Sequence, residues 1–433
     1  MTMTSPLIGF AGMTHLGLNS AVAGAERGFH ILAFDQDAAR VAALTRGEMP
    51  VLEPRLDTLA EKNRRRITFT ADPTALTACD LVYVAPDIAT DDTGTSDLGP
   101  LNELLDLAMA HARPDSPVIV LSQVPPGYTR ARQVPGRTLI YQVETLVFGR
   151  AIERALEPER YIIGLADPSA PLPDVYADFL RGHGNPPLLP MRYESAELAK
   201  ISINCCLVAT VSTANMLAEL CEALGADWSE IAPALRLDRR IGAHAYLAPG
   251  LGLSGGNLER DLATVLRLAD DHGTDAGVAA AWLTNSRHRK EWSYRTLRAS
   301  VLDRKPDARI AVLGLAYKED THSIKNSPSI ECLRRLERSN VAVFDPVVKG
   351  NVVPFARDAA SALDCARDAD VLLILTPWAE FKTLAPDTLA HVMQGRVLID
   401  PYRCLSRPAA EAAGFRYFTL GASADIVKAG GNA

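Results

Sequence analysis

The sequence predicts an α/β protein: two Rossmann-like, doubly wound parallel-sheet domains joined by a central helical domain with one long helix. Three observations carry that prediction. Residues 7–35, LIGFAGMTHLGLNSAVAGAERGFHILAFD, read as strand, glycine turn, helix and strand. A second unit of the same kind opens at Arg309–Leu313, with a turn at Gly314-Leu315-Ala316-Tyr317-Lys318. Between them, the stretch from Glu194 has no Gly or Pro before Gly225 and repeats apolar residues at three- and four-residue steps, so it reads as one helix. About thirty residues at ~1.5 Å each give a rod on the order of 45 Å, long enough to bridge two domains. The expected boundaries are 1–190, 191–302 and 303–433.

In the first domain the dinucleotide fingerprint asks for Gly-x-Gly-x-x-Gly between strand and helix. The best register is Gly12-Met13-Thr14-His15-Leu16-Gly17. Gly12 permits the tight turn and Gly17 close packing of helix on strand. The helix amino terminus, at Thr14, His15 and Leu16, faces a pyrophosphate. Thr14 departs from the pattern, because its side chain stands where backbone normally approaches phosphate. Asp35 ends the second strand, where a carboxylate accepts from ribose hydroxyls and repels a 2′-phosphate, which favours NAD over NADP. Arg40, five residues on, is assigned to the cofactor with it. Taken alone, this fingerprint leaves a plain βαβ unit open. Apolar runs at 81–85 and 118–122 alternate with helical stretches. Ser122 and the turn Gln123-Val124-Pro125-Pro126-Gly127 fall at a strand's carboxyl end, where ligands sit in open sheets. In the second unit, a helix near 327–339 and strands at 341–344, 371–375 and Val397–Ile399 complete the expected sheet.

With 433 residues the expectation is two or three domains, and 48% apolar with 22% charged residues describes a soluble globular protein. A net charge of −7 and the lack of a long basic run argue against a nucleic-acid surface; Arg64-Arg65-Arg66 is short and reads as a solvated face. No apolar run of membrane length and no leader are expected, since MTMTSPLIGF goes straight into a strand. The seven cysteines lack metal-ligand spacing and read as buried thiols, so no metal and a cytoplasmic location are expected. His15 and His322 read as turn residues rather than catalysts.

The long helix carries Lys200 and Asn204, four apart and therefore on one face. After it comes a loop with Gly250, Gly252, Gly255 and Gly256, then Asn257 and Asp261. A loop with so little side chain lets its backbone lie close against a ligand. At these residues the chain resembles the UDP-glucose/GDP-mannose dehydrogenases. Their central helix carries a Lys and an Asn at this spacing, and their glycine loop ends in a Cys followed four residues later by an Asp. Lys200, Asn204 and Asp261 match; Asn257 stands in the place of the Cys. MPVLEPRL, SQVPPGYT, YQVETLVFGRAIERALEPER, AVLGLAYKEDTHSIKNSP, FDPVV, LTPWAEF and LIDPYRCL resemble the family's segments in order, so the likeness covers essentially the whole chain.

The resemblance implies NAD and a nucleotide-sugar substrate, a UDP-sugar being favoured. It puts Glu144 beside the reacting carbon. Tyr317 and Lys318 match an aromatic–lysine pair that touches base and phosphate, and Gly252, Leu253 and Gly255 of the loop go with the substrate. Arg403 lies one position later than a family arginine. Arg240 matches an arginine that reaches a neighbouring subunit's sugar, and Tyr246 follows it. Lys325 stands where the family has an Arg facing the cofactor, a change that loses bidentate hydrogen bonding. A homodimer built on the long helix is expected, because that helix is apolar on nearly every face and Arg240 falls in a family position that serves a neighbouring subunit.

A dehydrogenase of this kind must take a proton from a hydroxyl and stabilise the developing oxyanion. Lys200 can supply positive charge, Asn204 a second hydrogen bond, and Asp261 can take the proton directly or through water. The plain alternative for Lys200, an exposed lysine on an apolar helix, stays open on spacing alone. Family members oxidise twice, trapping the aldehyde on the Cys and passing through a thioester. An amide cannot replace that thiolate, and Gln123, Gly256, Glu259 and Arg260 also depart from the pattern. The expectation is therefore a single two-electron oxidation of a sugar carbinol to a carbonyl. The alternatives are uronic acid formation by a Cys-independent route through the aldehyde hydrate, an epimerase with retained NAD, and a nucleotide-sugar-binding protein without turnover.

Overall fold

The computed structural model describes residues 5–91 and 95–423; residues 1–4, 92–94 and 424–433 of the expected first and third segments lie outside the described residues. The chain divides into two compact units, Met1–Ile203 and Asn204–Ala433.

The first unit holds strands β1 (Leu7–Ala11), β2 (His30–Phe34), β3 (Ile67–Thr70), β4 (Leu81–Val84), β5 (Val118–Val120), β6 (Leu139–Gln142), β7 (Tyr161–Leu165) and β8 (Leu188–Arg192). They form one sheet in the order β3-β2-β1-β4-β5-β6-β7-β8. β1, β2, β4, β5 and β6 are apolar over most of their length because helices cover both faces, and their residues are almost all buried. The sheet is not wholly parallel, as the sequence had suggested: β7 runs antiparallel to β6, with Tyr141 opposite Gly164. β1 lies between β2 and β4, so Gly9 sits opposite both Leu32 and Val82. The strand order reverses there, and the carboxyl ends beside such a reversal are where open α/β sheets take ligands. Helix α1 (His15–Glu26) starts at that point.

The second unit holds β9 (Arg309–Leu313), β10 (Asn340–Phe344), β11 (Arg357–Asp358), β12 (Val371–Ile374), β13 (Val397–Ile399) and β14 (Arg416–Phe418), all parallel, in the order β11-β10-β9-β12-β13-β14. The two sheets repeat the same local construction. Leu7 N donates to Asp80 at 2.8 Å, as Arg309 N does to Asp370 at 2.9 Å. Gly12 N donates to the Phe34 carbonyl and Gly314 N to that of Phe344, both at 2.8 Å. Met13 N meets Asp35 and Leu315 N meets Asp345, both at 2.7 Å.

Helix α2 (Tyr193–Leu224) is 32 residues long, about 48 Å, and the division between units falls between its residues 203 and 204. One expectation needs correcting. Residues 201–218 contain no Asp, Glu, Lys or Arg, and by length and composition α2 could cross a membrane. The core helix of a soluble protein passes the same test, and the polar side chains of α2 are used inside the second unit. Asn215 accepts from Gly250 N at 2.7 Å, and Asn204 donates to Asp261. The second unit continues through α3 (Trp228–Leu237), α4 (Asn257–His272), α5 (Gly277–Lys290) and α6 (Trp292–Leu297). Trp292 and Leu297 share a core with Val312, Leu373 and Ile399 of the sheet. All seven cysteines are free thiols: five are buried, Cys205 is half-buried and Cys206 exposed.

Candidate active site

In the first unit the glycine turn forms as read. Gly12 has φ +97°, and a Cβ there would lie 2.9 Å from Pro86 N; a Cβ on Gly17 would lie 1.8 Å from the Gly12 carbonyl. Only glycine allows both the turn and the approach of α1. The buried Asp35 carboxylate ends β2 and accepts from Met13 N, from Asp37 N at 2.9 Å and from Arg40, which is 3.0 Å from both oxygens. Ser122 is buried and donates to the Pro86 carbonyl. A cradle that a Cβ would fill, with a carboxylate at the end of β2, fits a dinucleotide. His15 is a structural member of the turn: its Nε2 lies 2.7 Å from Glu53, and Phe148 stacks on its ring at 4.1 Å. Glu53 also accepts from Gly149 N and Ala151 N. Burial alone would raise the Glu53 carboxyl, but these bonds outweigh it and hold the group below its ordinary value.

Glu144 follows β6, and Lys200 projects from the second turn of α2. The Lys200 Nζ lies 3.1 Å from Glu144, with both side chains largely buried at 13% and 17% exposure. That removes the reading of Lys200 as an exposed surface lysine. The start of α2 is fixed against the turn after β5 by Glu197, whose carboxylate accepts from Gly127 N at 2.6 Å and Thr129 N at 2.8 Å.

In the second unit, Asn204 is buried on α2 and donates through Nδ2 to the buried Asp261. Arg260 Nε stands 3.4 Å from the other Asp261 oxygen. Asn257 is the exposed first residue of α4, one turn before Asp261. The glycine loop is seated on α5 and on the turn after β9. Leu253 N donates to Ser286 Oγ at 2.8 Å, and a Cβ on Gly252 would fall 2.5 Å from the Ser286 carbonyl. A Cβ on Gly255 would touch the Tyr317 ring at 3.2 Å, and Gly255 N donates to the Lys325 carbonyl. The Lys318 ammonium stands 5.8 Å above the Tyr317 ring. Gly252, Leu253, Gly255, Tyr317, Lys318 and Lys325 are thus gathered. Lys325, assigned to the cofactor by the resemblance, stands in this group with its alkyl chain against Gly256. Three residues stand elsewhere. Arg240 pairs locally with Asp238, its side chain 89% exposed; Tyr246 is exposed; Arg403 reaches Asp227 at 2.7 Å and Ser229 at the start of α3.

Models of the UDP-glucose/GDP-mannose dehydrogenase family match the chain in order: the NAD binding domain over residues 7–180, the central domain over 194–287 and the UDP binding domain over 311–407. The chain is 30% identical to the UDP-glucose 6-dehydrogenase of Rhizobium meliloti over 435 residues, 95% of this chain and 98% of that one. It belongs to the UDP-glucose/GDP-mannose dehydrogenase family. UDP-glucose 6-dehydrogenase TuaD of Bacillus subtilis is 29% identical over 438 residues, 96% of this chain and 93% of its own. A UDP-glucose dehydrogenase structure from Pyrobaculum islandicum shares the fold with a TM-score of 0.83 at 23% identity, covering 98% of this chain and 99% of that one.

Membership makes the protein an NAD-dependent oxidoreductase of the nucleotide-sugar dehydrogenase family, acting on CH–OH groups. Sequence reasoning missed several residues of this family member's site region. Glu53, Asp87 and Glu197 each accept from backbone N–H groups far along the chain. Glu259 accepts from Lys290 Nζ at 2.9 Å and from Asn326, pinning the first turn of α4. For Asp87 a signal existed: a carboxylate three residues past β4, the strand beside β1.

Proposed function

We propose that this family member oxidises one carbinol of a nucleotide sugar, a UDP-sugar in the first instance, to a carbonyl, releasing one reduced cofactor per turnover. Asn257 carries this reading: an exposed amide, not a thiol, opens the helix that bears Asp261. Cys205, next to Asn204 in the chain and within reach of the charge of Asp261, is a poor replacement for the missing thiolate. Burial, and then the charge of Asp261, push its thiol above the ordinary 9.0. In the reaction NAD, when bound, accepts the hydride. Lys200 stabilises the alkoxide oxygen by charge, Asn204 adds a hydrogen bond, and Asp261 takes the hydroxyl proton directly or through water. Glu144 keeps the Lys200 ammonium in place. Gly255, Tyr317 and Lys318 are the candidates for base and phosphate.

We further propose that two copies pair through α2, where Met216, Leu220 and Leu224 are exposed at four-residue steps, and that the protein works in the cytoplasm. The test of the reaction is incubation with NAD and a panel of UDP-, GDP- and CDP-sugars, following NADH and product mass together. One NADH with a product two mass units lighter supports the reading. Two NADH with a uronic acid refute it in favour of the aldehyde-hydrate route. An isomer without net NADH means an epimerase, and no turnover with tight sugar-nucleotide binding means a binding protein.

A further inference from the structure

The amino terminus of α1 already holds an anion belonging to the chain itself. His15 N donates to Asp87 Oδ2 at 2.7 Å and Leu16 N to Oδ1 at 3.3 Å. The Asp87 main chain is tied down in turn, because its N–H donates to Thr14 Oγ1 at 2.8 Å. Thr14 is the residue that departs from glycine in the dinucleotide fingerprint, so both departures from a bare phosphate cradle act on one spot. The N–H groups at a helix start have no partner within the helix and favour negative charge. A carboxylate there satisfies two of them at once. A diphosphate needs the same N–H groups.

We propose that Asp87 is a built-in competitor for the pyrophosphate seat, which any dinucleotide must displace before it binds. The inference rests on the NAD-binding domain and not on which sugar is oxidised. Two consequences follow from electrostatics. Ligands with a diphosphate meet a carboxylate of like charge and lose N–H groups to it, so their affinity is reduced by the fraction of molecules in which Asp87 has swung away. A neutral nucleoside, which does not use the seat, is spared. The hydroxyl of Thr14 holds the main chain of Asp87 near the turn throughout, so the carboxylate can return by side-chain rotation alone once the ligand leaves.

Calorimetric titration of the purified protein with NAD, ADP-ribose and adenosine tests this, using wild type, Asp87→Asn and Asp87→Ala. Both variants are expected to bind NAD and ADP-ribose roughly tenfold more tightly. Adenosine affinity is expected to stay within about twofold, because it lacks the competing charge. The ligand-free Asp87→Ala protein is also expected to melt at a lower temperature, because its helix start has lost an acceptor. Unchanged or weaker diphosphate binding in the variants overturns the proposal. So does an equal gain for adenosine, which means general loosening. If Asp87→Ala does not fold, Asp87→Asn, which keeps the shape and removes the charge, decides alone. No sugar is present, so this outcome is independent of the proposed oxidation.

Discussion

At the end of β2 the Asp35 carboxylate is shared among Met13 N, Asp37 N and the Arg40 guanidinium. Asp35→Asn should weaken NAD binding and relax the exclusion of NADP, because the carboxylate that repels a 2′-phosphate is gone while Arg40 stays beside Asp37. Titration with both cofactors checks it; an unchanged preference would place Asp35 away from the adenosine ribose. Lys200→Ala should abolish NADH formation, whereas Asn257→Ala, an exposed position, should keep most single-oxidation activity. Asn257→Cys should still give no acid, since Gln123 and Gly256 differ from the family pattern too. Product analysis of the three variants decides. His183 gives a pH dependence. Burial lowers its pKa from 6.5 to about 4; the Phe179 carbonyl works against that shift and the charge of Arg27 adds to it. Unfolded chains take the proton first, so native stability falls as pH drops from 6.5 towards 4, by about 3 kcal/mol from this group. Urea titrations across that range should show a flatter pH dependence for His183→Gln; an equal slope counts against the assignment. Lys200, Asn204 and Asp261 were singled out by the family resemblance; helical spacing alone put Lys200 and Asn204 on one face and left a surface lysine open. Glu53 and Glu197 could not be found in the sequence, and Asp87 only by its place after β4: their partners are backbone N–H groups about 70 to 100 residues away, and no periodicity marks such a pairing.

Among the elements, α2, α5 and α6 are held by one ionic cluster around the buried Arg289. Arg289 is fully buried on α5 and lies 3.2 Å from Glu222 of α2, whose carboxylate also accepts from Trp292 Nε1 of α6 and from Gly421 N past β14. Glu219, one turn earlier, meets Arg289, His288 and Arg295. Glu222→Ala should destabilise the protein by about 1–3 kcal/mol, since it takes one of two carboxylates from the buried guanidinium and leaves two N–H groups without an acceptor. Chemical denaturation checks the figure, and a loss under about 1 kcal/mol would mean that water replaces the carboxylate. The longer elements were legible. The helix read from Glu194 runs Tyr193–Leu224, and β9 has the expected bounds. What escaped was short or at an edge: β8 contains Pro190 and is half-exposed, β11 has two residues and β14 three, too few to show a period. The reversal of β7 depends on the path of the chain after β6, which strand composition does not encode.

For the whole molecule the open question is assembly. Besides Met216, Leu220 and Leu224 on α2, the second unit exposes Ile231 and Leu237 on α3. Apolar surface of this kind marks a place where another surface packs. Sedimentation at micromolar concentration should give a dimer or a multiple of one, and Leu220→Glu should shift it towards monomer; a wild-type monomer would sink the proposal. The expected three segments and the two compact units differ because the end of the middle segment, Leu251 with Trp292 and Leu297 of α6, is built into the core of the second sheet, while α4 and α5 keep a small core of their own with Val208. Hydrophobic pattern locates helices but does not say which sheet will share their core. The distribution of thiols gives the native chain a reporter. Cys206 alone of the seven is exposed, and it lies on α2 ten residues before Met216. A coloured thiol reagent should therefore react quickly with one equivalent per chain and slowly with the rest, so a fluorophore or spin label can be attached to the long helix without any mutation. If copies pair along that helix, the quick reaction should slow as protein concentration rises, and labels on the two copies should sense each other.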